Sequence, residues 1–121
     1  MELSSNGRFL IVGDRRMSRL QVLDRLVGFR PAIETWTTSQ PTSLAFESSS
    51  SFLVGFDDGR FAEYLIDLGA KCLVHRWTND TLRGTSPVTA IALDATARNL
   101  ALAVGSDVLV FNRFTGTGET F

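Results

Sequence analysis

The sequence is short of most of what catalysis needs. It has one histidine, His75, and one cysteine, Cys72, among 121 residues. One of each cannot furnish a His/Cys metal cage, and no C-x-x-C or H-x-E-x-H-type spacing occurs. The two stand three apart, so on a strand they point to opposite faces and make a poor nucleophile–base pair. A buried structural thiol and a strand histidine are the expected roles. A single cysteine also forms no internal disulfide, so a reducing, intracellular location (cytoplasm or nucleus) is expected. No metal or cofactor is expected.

Long apolar runs are missing too. The apolar stretches last about five to eight residues, against roughly 20 for a membrane-spanning helix. No basic-then-apolar leader stands at the N-terminus, and no membrane partner is expected. Pro31, Pro41 and Pro87, with the glycines, interrupt every candidate long helix. Lysine is nearly absent: arginine outnumbers it eleven to one. The net charge of −1 and pI of about 5.7 lack the basic footprint of nucleic-acid binding.

What is present is short strands. "FLVGFDDGRFAEYLID" (52–67) holds an apolar run, an acidic turn with glycine and a second apolar run. Asp57-Asp58-Gly59-Arg60 supplies turn chemistry in which the chain reverses over two residues. Phe61, Glu63 and Leu65 then face one way, and Ala62, Tyr64 and Ile66 the other. Such a hairpin is marginal alone.

The chain repeats it. "RFLIVGDRRMSRLQVLD" (8–24) and "NLALAVGSDVLVFNR" (99–113) align with 51–67, placing Gly13, Gly55 and Gly105 in register, 42 and 50 residues apart. A further strand follows each pair and closes on an aromatic, Trp36, Trp77 and Phe121, at spacings of 41 and 44. Strands opening at a proline, "PTSLAFE" (41–47) and "PVTAIALD" (87–94), precede the second and third units. Four short strands recurring every ~40–45 residues predict the blades of a β-propeller.

On these residues the chain resembles the WD40-repeat family over nearly its whole length. "LSSNGRFLIVGD" (3–14) matches the family's strand–turn–strand opening, with Asn6-Gly7 as the turn. The departures are clear. No Gly-His dipeptide precedes a unit, and the Trp-Asp pair is replaced by Leu23-Asp24, Tyr64-Leu65 and Phe111-Asn112. The family's buried His-Asp-Ser/Thr-Trp chain therefore does not carry over. "PTSLAFE…FLVGFDDGRF" and "HRWT" also look like the degenerate propellers of fungal F-box proteins, although no F-box is present.

The expected organisation is an all-β partial propeller of four-stranded antiparallel meanders: an incomplete blade over 1–38, a blade over 41–78 and a blade over 87–121. Only "MEL" stands where the first opening strand belongs. Propellers close with about four to eight blades. Hence either this is part of a larger propeller, or copies assemble to close the ring.

The resemblance implies a non-catalytic scaffold that holds a protein or peptide, with substrate recognition in a ubiquitin-ligase complex as the narrower form. The alternatives are a propeller-framed enzyme with its catalytic residues elsewhere, and a self-contained β-sandwich binding module. Residues 1–30 carry six arginines against three acids. Arg15, Arg16 and Arg19 in "DRRMSRLQVLDR" are candidate contacts for an acidic peptide or phosphate, which a guanidinium fork matches in two-point fashion. Solvated arginines in a hairpin loop are the plainer reading. Arg83, in the polar connection "NDTLRGTS" (79–86), is the fourth candidate, since loops on a rigid frame carry binding residues.

Overall fold

The computed structural model describes residues 1–4, 6–14, 16–79, 86–94, 99–112 and 118–120. Among the described residues twelve strands form three antiparallel four-stranded sheets in plain up-and-down order. The first holds β1 (Glu2–Leu3), β2 (Phe9–Asp14), β3 (Arg19–Asp24) and β4 (Arg30–Trp36). The second holds β5 (Pro41–Phe46), β6 (Ser51–Phe56), β7 (Phe61–Asp67) and β8 (Cys72–Asn79). The third holds β9 (Val88–Leu93), β10 (Asn99–Val104), β11 (Asp107–Asn112) and β12 (Gly118–Thr120). The fold is all-β, and the open sheets are those of a partial propeller. Among the described residues no helix is long and apolar enough to cross a membrane.

Period-two alternation decides what each strand buries. Phe9, Ile11, Leu20, Val22 and Ile33 of the first sheet meet Phe52, Val54, Tyr64 and Ile66 of the second in one core. The opposite face of the second sheet supplies Leu53 and Phe61 to a second core with Leu100, Leu102 and Val104 of the third. The middle sheet is therefore buried on both faces, which is why β6 reads as an unbroken apolar run. Aromatic rings fill both layers. Phe52 stacks on Tyr64 at 5.8 Å, and Phe61 meets Trp77 edge-on at 5.9 Å. "AIALD" pairs with "NLALAV", and that strand with "DVLVFN".

Glycine lets the sheets approach at their inner strands. A Cβ on Gly13 would stand 3.2 Å from the Pro41 ring, and one on Gly55 only 2.6 Å from Val88. The strand that opens each following sheet thus presses on a glycine of the sheet before it. Thr42 Oγ1 adds a hydrogen bond to the Val88 carbonyl at 2.6 Å. Gly105 does not share this role. It sits in the β10–β11 turn at φ +60, and Ala103, paired with Ala90 as Gly55 is with Ser43, holds the corresponding strand position. Sequence alignment shifts here because the repeat differs in length at the turn.

Two further expectations are corrected. The reversal takes three residues, 57–59, with Phe56 N–H bonded to the Arg60 carbonyl and Gly59 at φ +89. Cys72 is exposed, as is His75, because β8 is an outermost strand with a neighbour on one side only.

Candidate functional site

In a meander, alternate connections fall on opposite rims. The β2–β3, β6–β7 and β10–β11 turns share the upper rim with the inter-sheet connection β4–β5. The β1–β2, β3–β4, β5–β6 and β7–β8 turns form the lower rim.

On the upper rim the Asp57–Arg60 turn does more than reverse the chain. It grips the connection 37–40 arriving from the first sheet. Gln40 N–H donates to Asp57 Oδ1 at 3.2 Å, and Asp57 N–H to the Gln40 carbonyl at 2.9 Å. Ser39 Oγ donates to Asp58 Oδ2 at 2.7 Å. Arg60 pairs with Asp58 through Nε at 2.7 Å, and its Nη2 reaches Thr38 Oγ1 at 2.8 Å and Ser39 Oγ. Burial pushes the Asp58 carboxyl up, but the Ser39 hydroxyl, the Arg60 amide and the Arg60 guanidinium together hold it below the ordinary carboxylate value.

Beside this clamp lies a cleft of about 300 Å³ between the first and second sheets, lined by Trp36, Phe56, Arg60, Tyr64, His75 and the threonines 37, 38 and 78. Trp36, at the end of β4, is 63% exposed. Arg19 lies over its ring at 5.8 Å. Burial raises the Tyr64 phenol above its usual pKa, against the opposing charge of Arg60. The Tyr64 hydroxyl has no hydrogen-bond partner among the described residues. His75 meets Tyr64 edge-on at 5.4 Å and bonds Thr78 Oγ1 at 2.5 Å. Among the described residues no carboxylate lines the cleft. A second cavity, about 380 Å³, runs along the inner strands past Met1, Gly13, Pro41, Thr42, Thr89 and Ile91.

The arginines singled out from sequence divide. Arg16 lies on the upper rim, exposed, and nothing among the described residues pairs with its guanidinium; its amide bonds Asp14 Oδ1 at 3.1 Å. Arg19 is already engaged, with Asp14 at 3.1 Å and Glu34 at 2.9 Å. Arg15 and Arg83 lie outside the described residues. The cleft residues Trp36, Arg60, Tyr64 and His75 carry only structural roles in the sequence reading. They come from two sheets, and only the polar run "TTSQ" facing "DDGR" hints at the junction.

The geometry so far defines consecutive propeller blades. No protein-family model matches the sequence, and no curated protein matches it. Solved structures do. The β-propeller domain of Cps50 (Swd1) from Myceliophteria thermophila superposes with a TM-score of 0.79 at 17% identity, covering 99% of this chain and 41% of that one. The WD40 repeats of RRP9 give 0.75 at 15% identity over 98% of this chain and 34% of that one. Saccharomyces cerevisiae Sqt1 gives 0.71 at 18% identity over 96% and 33%. The chain therefore has a WD40-like propeller fold and spans about a third to two-fifths of the length of the chains it matches.

Proposed function

We propose that this protein is a non-catalytic interaction scaffold whose upper rim holds a protein or peptide. One observation carries the reading: a rigidly clamped blade junction presents an exposed Trp36 beside a cleft whose Tyr64 hydroxyl is unspent. Aromatic side chains of this kind dominate interface energetics, and connections on a fixed frame are where partners dock. Arg16 adds a free cation at the same rim, suited to an acidic partner. A narrower role in substrate recognition by a ubiquitin ligase, inside the cell, is supported by the resemblance of 41–61 and 75–78 to F-box propellers. Capture of ligase subunits with the chain is the check on that role.

The test of the broader reading is quantitative affinity capture from cell extract with the chain and with a Trp36→Ala/Arg16→Glu variant. Both positions are exposed, so the variant keeps the parent circular dichroism and melt. Loss of specific partners in the variant supports the reading; an unchanged set of partners overturns it.

A further inference from the structure

The lower rim carries a feature that the fold leaves unexplained. The β3–β4 turn presents Leu26, Val27 and Phe29 to solvent at 69%, 53% and 42% exposure. None of them joins either core. Yet the turn is held firmly. Asp24, buried at the end of β3, accepts the Leu26 N–H at 3.0 Å and a two-point contact from Arg8 at 3.2 and 3.3 Å. Gly28 N–H bonds the Arg25 carbonyl, and Phe29 N–H the Asp24 carbonyl at 2.9 Å. Phe29 is fixed at φ 57, a left-handed conformation that an aromatic residue rarely adopts.

The next blade repeats the arrangement. Its β7–β8 turn also starts at an aspartate: Asp67 Oδ1 accepts the Ala70 N–H at 3.0 Å. It also ends in a left-handed residue just before the outer strand, Lys71 at φ 54, and it exposes Leu68. By the alternation of the meander both tips lie on the lower rim, at the starts of the outer strands β4 and β8. Their exposed charges are Arg25 and Lys71. Arg8 offsets the Asp24 charge, while Asp67 bonds its own turn and keeps its charge, so the two tips carry one net positive charge.

We propose that these two tips dock on an anionic lipid surface. Leu26, Val27, Phe29 and Leu68 enter the headgroup–acyl boundary, while Arg25 and Lys71 meet the lipid phosphates and carboxylates. Two apolar tips on one rim, each with a cation, suit a flat interface with negative charge. Such binding needs no spanning segment, and it leaves the upper rim facing away from the bilayer. It does not depend on the partner reading of that rim.

Vesicle flotation of the full chain tests it, with phosphatidylcholine vesicles and with vesicles containing about 30% phosphatidylserine, a composition chosen to give a strongly negative surface. The chain is expected to float with the anionic vesicles only. Arg25→Gln/Lys71→Gln should weaken partitioning roughly thirtyfold, at about 1 kcal/mol per cation lost near the surface. Phe29→Asn is the separating variant. Asn tolerates the left-handed backbone, so folding stability holds or rises while vesicle binding falls. Failure to float, equal binding to neutral vesicles, or full binding by a Leu26→Ser/Phe29→Asn variant would each overturn the proposal. In the first case the tips would belong to a protein contact instead.

Discussion

Gly55→Ala is the sharpest probe of how the blades are joined. A methyl at this position would press on Ser43 Oγ and lie 2.6 Å from both Cβ and Cγ1 of Val88. Ser43 Oγ can rotate away. Val88 cannot, because its Cβ is fixed to the backbone of β9, so the third sheet must move off the second. Overpacking of this kind costs about 1–3 kcal/mol. Against it stands about 0.4–1 kcal/mol gained by restricting the unfolded chain, since Gly55 has an ordinary φ. The net expectation is a loss of about 1–2 kcal/mol. Gly13→Ala is the internal control. Its methyl meets Pro41 at 3.2 Å, a contact relieved by a few tenths of an ångström, so its net effect lies close to zero. Urea denaturation followed by tryptophan fluorescence measures both, and a fall in midpoint at constant slope for Gly55→Ala alone is the expected result. Equal midpoints for Gly55→Ala and the parent would refute the close approach of β9 to β6.

Glu63 is a buried carboxylate that accepts the Trp77 indole N–H at 2.9 Å and pairs with Arg76 at 3.3 Å. Glu63→Ala is expected to cost about 2–4 kcal/mol by leaving a cavity and an unpaired indole, and Glu63→Gln about 1, read by the same titration. Acid should destabilise the chain through Asp24 and Asp58. Arg8's hydrogen bond lowers the Asp24 pKa despite its burial, and Asp58 is lowered as described above. Their stabilisation is therefore fully present above the ordinary carboxylate value of about 4 and lost as pH falls through the lower folded values. Midpoints measured between neutral pH and pH 2.5 should drop less steeply for Asp24→Asn. The outward faces of the first and third sheets have no packing partner among the described residues, so light scattering over a concentration series should show self-association. Ala101→Asp on the open face should weaken it without lowering the melting temperature, whereas Leu102→Asp, inside the second core, should unfold the chain.

Much of the architecture was legible because it is written locally. Alternation in "RLQVLD" and "FAEYLID" fixes which side chains turn inward, and Asn6-Gly7 and Asp57–Arg60 mark reversals regardless of distant contacts. The recurrence of the hairpin then implies neighbours that bury what one sheet cannot. Cys72 was misjudged for an equally physical reason. "CLVHRW" reads as apolar, but burial on an outermost strand depends on what lies beyond it, and the sequence of the strand does not encode that. The cleft was illegible on the same ground. Tyr64 and His75 come from one sheet and Trp36 to Thr38 from another, and their meeting depends on how the sheets pack. Phe29 is a third case: the sequence shows an apolar residue, and only the backbone reveals that it is held outward.

Taken together, the rims divide the work of the molecule. At each rim side-chain hydrogen bonds fix a turn, between two blades above and within the first blade below. Ser39, Gln40 and Thr38 are tied to the Asp57–Arg60 turn above, and Asp24 is tied to Arg8 below. Each clamp stands directly beside exposed aromatic surface, Trp36 in one case and Phe29 in the other. An exposed ring on a loose turn would lose conformational freedom on binding and return little affinity. A ring on a clamped turn has already lost that freedom on folding, so the contact it makes translates more fully into binding. The pairing of rigid support with unburied aromatics at both rims is thus what separates these surfaces from ordinary loop ends, and it directs the substitutions at Trp36 and Phe29 to the side chains rather than to the clamps that hold them.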